Sequence, residues 1–166
     1  LQYRDYAIWQ NKVLEQGHYQ SQLAYWQQQL AGAPLRHSLP IKSVAEPNRH
    51  DVGIVTKTLP KSLINQVQVF AKKHNLTLFM QLHGALALLL SRHSNTQDIV
   101  IGTPVANRGQ LETQSLMGFF VNTLALRTST HFDDVEAYFD HIRSINLQAQ
   151  DNQSVPFDKV VEACHV

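Results

Sequence analysis

Asp98-Ile99-Val100-Ile101-Gly102-Thr103-Pro104-Val105-Ala106-Asn107-Arg108-Gly109 decides how this chain of 166 residues is read. Its apolar front, Ile99-Val100-Ile101, predicts a strand over Asp98 to Val105 that is covered on both faces. Pro104 and Gly109 then bracket a loop carrying Asn107 and Arg108. A second strand is expected over Phe119 to Thr128, its apolar run interrupted by Asn122. Alternation places Phe120, Asn122, Leu124 and Leu126 on one face of that strand. Polar side chains at strand ends around a loop are where rigid α/β scaffolds keep their chemistry.

Outward from this stretch the pattern turns helical. Leu78 to His93 is apolar nearly all round, which predicts a helix lying deep under other elements, with Thr77 as its cap and Asn75 ending the helix before it. That earlier helix shows the stripe Leu63, Ile64, Val67, Phe70 and Ala71, and Val52 to Leu59 reads as a strand closed by Pro60. Two amphipathic helices open the chain, one over residues 3 to 14 and one carrying Tyr19, Leu23, Trp26 and Leu30. Gly17 separates them, and Gly32 and Pro34 end the second. Leu39 to Asp51 has no period and reads as a connector. After the second strand, Asp133 is expected to cap a long helix while Glu136 reaches back. Val155-Pro156-Phe157 then starts a short one. Strands separated by helices predict a layered α/β fold, a two-layer α/β sandwich.

Bulk properties narrow the function. Hydrophobic residues make up 43% and charged residues 16%, and the formal net charge is +1 with lysines and arginines scattered. That gives no basic face for nucleic acid or anionic lipid, and no apolar run reaches the length of a bilayer. One cysteine, Cys164, excludes an internal disulfide framework and fits a reducing, cytoplasmic setting. The chain opens at Leu1 in a helical pattern and shows no stop signal at Val166, so it reads as a piece of a longer protein. Its division is expected at residue 50: bridging helices and connector over 1–50, and a subdomain over 51–166.

No self-contained active site emerges. Nine histidines are present, but His74, His83 and His93 stand nine and ten apart, without the spacing of a metal site. His83, inside the apolar helix, reads as a satisfied core histidine. Phosphate-cradling glycine loops and a nucleophile elbow are both missing. Asn122 is disfavoured in a strand and needs a definite partner, which leaves two readings: a buried amide bonding backbone, or a side chain facing a cleft. Arg108 either clamps a polar ligand or meets a structural partner.

The wording as a whole resembles the condensation domains of nonribosomal peptide synthetases, members of the chloramphenicol-acetyltransferase-like superfamily. Tyr3-Arg4-Asp5-Tyr6-Ala7-Ile8-Trp9 is similar to their Tyr-x-Asp-Tyr-Ala-x-Trp motif, and Ile101 to Arg108 to their Ile-Gly-Thr-Pro-Val-Ala-Asn-Arg. Gly118 to Thr123 matches Gly-Phe-Phe-Val-Asn-Thr, and Asn152 to Asp158 resembles Gln-x-Val-Pro-Phe-Glu. The resemblance implies the C-terminal half of a two-lobed fold. Carrier proteins upstream and downstream would bring a donor acyl thioester and an acceptor aminoacyl thioester to a tunnel between the lobes. Thr103, Pro104, Asn107, Arg108 and Asn122 would line that tunnel.

The same resemblance implies no directly bound cofactor, since the phosphopantetheine arm belongs to the carriers. It implies further partners in an adjacent adenylation domain and the N-terminal half of the same domain. The family's His-His-x-x-x-Asp-Gly motif, which supplies the catalytic histidine, has no counterpart in this sequence, so the chain alone is expected to be inactive. Departures are the connector after Leu39-Pro40, His83 where an apolar residue is common, and Asp158 in place of Glu. The rival expectation is a non-catalytic module that docks carrier proteins or scaffolds a neighbouring domain.

Overall fold

The computed structural model describes residues 1–40 and 53–164. Among the described residues two strands form the sheet: β1, Asp98–Val105, pairs antiparallel with β2, Asn122–Ser129, in a register running from Asp98 opposite Ser129 to Val105 opposite Asn122. Around them lie α1 (Tyr3–Glu15), α2 (Gln20–Leu30), α3 (Lys61–Lys73), α4 (Leu78–Ser94), α5 (Val135–Asp151) and α6 (Phe157–Cys164). Helices α4 and α5 pack on each other and on the sheet, whereas α2 packs on α6. Consecutive residues of β2 serve these two groups, because side chains alternate across a strand: Arg127 reaches the end of α2, and Thr128 reaches α4.

Local sequence explains the element ends. Asn75 and Asn95 stop α3 and α4 in the left-handed conformation that asparagine tolerates, and Thr77 Oγ1 accepts from Met80 N at 3.1 Å to start α4. Gly84 lets α4 and α5 approach: a Cβ there would lie 2.9 Å from a Phe139 ring carbon, and the Tyr138 hydroxyl donates to Gly84 O at 2.7 Å. One core joins Trp26, Leu124, Leu126, Ile145, Ala149, Val155 and Val160. A second joins Leu76, Met80, Tyr138 and Ile142. Arg127 fastens the sheet to α2. Its Nε and Nη2 donate to the two carboxylate oxygens of Asp98 at 2.9 and 2.8 Å, and its Nη1 donates to Gln29 O and Ala31 O at 3.1 and 2.7 Å.

Four expectations need correction. Among the described residues, 53–59 pair with no strand, and Ile54 and Val55 are 88% and 98% exposed; β-branched residues favour extension but cannot supply the partner a ladder needs. Helix α4 is not deep all round. It buries Met80, His83, Gly84 and Ala87 and leaves Leu78, Phe79, Leu82, Leu86 and Leu89 open. The cap of α5 is Asp134, whose Oδ1 accepts from Ala137 N at 2.7 Å, while Glu136 pairs outward with Lys73 at 3.1 Å. Strand β2 begins at Asn122, because Phe119 to Val121 are held in the preceding loop. Most of the connector lies outside the described residues.

Candidate functional site

The loop between the strands, residues 106–121, is where the motif residues gather. Asn107 turns the chain with φ of 50°, and the Tyr6 hydroxyl of α1 accepts from Gln10 Nε2 at 3.2 Å. Arg108 points back into its own loop. Its guanidinium donates to Thr113 O, to Leu116 O at 2.9 Å and to Gly118 O at 3.4 Å, and stacks 4.2 Å over the Phe120 ring. Main-chain carbonyls and an aromatic face hold the charge, and among the described residues no carboxylate pairs with it.

Helix α1 closes over this loop through aromatic edges. Tyr3 and Tyr6, three apart and so on one helical face, meet Phe120 with ring centroids at 5.1 and 4.8 Å. The Tyr3 hydroxyl donates to Phe119 O at 2.9 Å. Gly118 is required by the same approach, since a Cβ there would stand 2.3 Å from the Tyr3 ring. Burial pushes the Tyr6 phenol above its usual pKa, with Tyr19 and Tyr3 adding to the shift and the Asn107 side chain opposing it.

Asn122 joins this loop to the segment before α6. Its Nδ2 donates to Gln153 O at 2.9 Å and Val155 O at 2.7 Å, and its Oδ1 accepts from Phe157 N at 3.0 Å. Trp26 Nε1 donates to Asn152 O at 2.9 Å, and Ser154 N donates to Gln22 Oε1 at 3.2 Å, so α2 grips the same segment. The buried amide therefore serves backbone, the first of its two sequence readings.

The five candidate residues fall in two places. Asn107, Arg108 and Asn122 organise the loop. Thr103 and Pro104, with Phe79, Leu124, Asn146 and Gln150, instead line a separate cavity of about 160 Å³. A larger cavity, about 310 Å³, lies between α1 and the loop, walled by Asp5, Tyr6, Trp9, Gln110 and Glu112. Neither lining contains a histidine or a cysteine. Sequence reasoning misses Tyr3, Phe120, Gln22 and Trp26 as site residues. For the first of them, the i, i+3 spacing of Tyr3 and Tyr6 is the available signal.

Among the described residues no three His, Cys, Asp or Glu side chains gather to hold a metal ion, and no helix is long and apolar enough to cross a membrane. Cys164 is half-buried and burial raises its thiol pKa, which is the environment of an inert thiol.

The family model of the condensation domain matches residues 1–166. The chain belongs to the condensation-domain family. It is 38% identical over 164 residues to malpibaldin synthetase of Mortierella alpina, covering 98% of this chain and 3% of that protein. It is 37% identical over 169 residues to the isonitrile lipopeptide synthase of Mycobacterium tuberculosis, covering 98% of this chain and 7% of that one. Among solved structures it superposes on the X-domain from teicoplanin biosynthesis with a TM-score of 0.90 at 24% identity, covering all of this chain and 38% of that one. A holo four-domain nonribosomal peptide synthetase bound to AMP and glycine matches at a TM-score of 0.80 and 27% identity, over 87% of this chain and 11% of that one. The fold is thus the chloramphenicol-acetyltransferase-like fold of condensation domains, and its relatives are nonribosomal peptide synthetases. The chain spans only 3% and 7% of the length of these two curated relatives.

Proposed function

We propose that this chain is the C-terminal lobe of a condensation domain whose parent synthetase forms an amide between a donor acyl thioester and an acceptor aminoacyl thioester. The supporting observation is the convergence of three separate motif segments on one surface: α1 through Tyr3 and Tyr6, the loop through Arg108, and residues 152–157 through Asn122. Carrier proteins bring both thioesters on phosphopantetheine arms, which enter as substrate. An adenylation domain supplies the activated acids.

In this reading the acceptor amine attacks the donor carbonyl, the carrier thiol departs, and the amine's proton is lost. The side chains of this wall orient rather than transfer protons. Arg108 and Asn122 spend their hydrogen bonds fixing main chain, so they shape the lobe's wall, and rate is gained by holding two reactants in register. A histidine from the other lobe would take the proton.

The test is reconstitution of the intact parent with one acyl-loaded and one aminoacyl-loaded carrier protein. A condensed product on the acceptor arm, seen by intact-protein mass spectrometry, is expected. Carrier binding without any product, even with matched substrates, would replace amide formation with the docking reading.

A further inference from the structure

Three elements meet at His83, a histidine on the inner side of an otherwise leucine-rich helix. Its Nδ1 lies 3.0 Å from Asn146 Nδ2 on α5, and its Nε2 lies 3.3 Å from Thr128 Oγ1 on β2. Asn146 Nδ2 also donates to Ile142 O at 2.7 Å, so it is the amide nitrogen that faces the ring. Nδ1 must then accept, and the neutral ring carries its proton on Nε2, toward Thr128. His83, Asn146 and Thr128 are 4%, 2% and 0% exposed, which leaves the cluster shielded from solvent. A second imidazole works the same way nearby: His141 Nε2 accepts from Ser129 N at 3.2 Å, with its ring against Phe132.

Both contacts exist only for neutral rings. Protonation would give His83 Nδ1 a hydrogen aimed at an NH2 group, and would remove the acceptor of Ser129 N. Turning the Asn146 amide to offer oxygen would set that oxygen against Ile142 O and lose the donated bond.

Among the described residues the surroundings of His83 offer no compensating anion. From α5, the titratable group acting on His83 is His141, whose positive charge would disfavour a second one; Tyr138, whose pKa is pushed up to about 12 by burial, donates instead to Gly84 O. From β2, Thr128 is uncharged, and its neighbour Arg127 lies on the opposite face with Asp98. His141 is met by Ser129, Phe132 and His83, and burial lowers its pKa.

We propose that His83 and His141 form an acid-release latch that fastens β2 to α4 and α5 while both rings are neutral and lets go when they protonate. Burial, and after it His141, lower the His83 pKa to about 4, whereas an unfolded histidine titrates near about 6.5. The unfolded state therefore binds more protons between those values. The latch is fully engaged above about pH 6.5, and the folding equilibrium loses about tenfold per pH unit on His83's account as pH falls toward about 4. His141 acts in the same direction. Carboxylates of the unfolded chain titrate near about 4, so the interval from about pH 6.5 to 5 isolates the histidines.

Hydrogen–deuterium exchange on the intact protein, corrected for intrinsic rate, tests this across pH 8 to 5. Peptides covering α4, β2 and α5 are expected to lose protection below about pH 6.5 by about tenfold per unit or more, with peptides from α1 showing a shallower dependence. His83→Gln keeps an acceptor and a donor without a titrating ring, and should flatten the profile. An unchanged profile in that variant overturns the latch. Should His83→Gln be unfolded already at pH 8, the native protein still decides through histidine C2-proton exchange: a His83 midpoint far below 6.5 supports the latch, and an ordinary midpoint overturns it.

Discussion

The loop wall and the outer face of α4 are opposites within one small molecule. At the wall, Arg108 and Asn122 are bonded to main-chain atoms, and aromatic edges close the gaps. On α4, five large apolar side chains remain 43% to 59% exposed, and Ile54 and Val55 are more exposed still. The wall shows that a motif can encode folding rather than reaction chemistry, since its polar groups do for the backbone what a ladder or a cap does elsewhere. The α4 face shows that apolar content reports what a helix is suited to cover, not what covers it.

The sharpest way to break the contrast is Trp26→Ala. It removes a side chain only 2% exposed together with its bond to Asn152 O, and should cost about 4 kcal/mol in denaturant unfolding. Asn122→Ala comes next, at about 3 kcal/mol, because it orphans Gln153 O, Val155 O and Phe157 N together. A stability change under about 0.5 kcal/mol there, with turnover of the parent abolished, would instead assign Asn122 a direct contact with substrate. Gly118→Ala should cost about 2 kcal/mol by driving a methyl group into Tyr3, and Tyr3→Ala in the same chain should recover most of that loss.

The open face should behave otherwise. Leu82→Glu, at a residue 58% exposed, is expected to shift the unfolding free energy of the isolated chain by less than about 0.5 kcal/mol. The same change should lower self-association by light scattering, since contiguous exposed apolar patches drive it. A monodisperse monomer at all concentrations before mutation would contradict the patch's stickiness.

The limits of β1, Asp98–Val105, and the junction of Asn75 and Thr77 between α3 and α4 were legible because short-range chemistry sets them: left-handed asparagine, a hydroxyl cap, a β-branched run. His83 as a satisfied core residue was legible for a related reason, as a polar group among leucines must find partners. What failed depended on distant partners. Residues 53–59 carry strand propensity without a neighbour, and Asp133 and Asp134 are equally good caps until the burial of Tyr138 and Ile142 fixes the phase of α5. The retraction of Phe119 to Val121 from β2 was hidden too, because it is set by Tyr3, 116 residues away.

The Arg127 clamp bears on which substitutions the joint between sheet and α2 can absorb. Outside its pairing with Asp98, its acceptors are the carbonyls of Gln29, Ala31 and Gly32. A carbonyl is contributed by every residue type, so any helix ending at the same place satisfies the guanidinium whatever its side chains are. Side-chain substitutions at Gln29 and Ala31 can therefore leave the hydrogen bonds of this joint in place. Asp98 and Arg127 have no such freedom, because each is the other's only charged partner among the described residues. The joint reads main chain on one side and a single charged pair on the other.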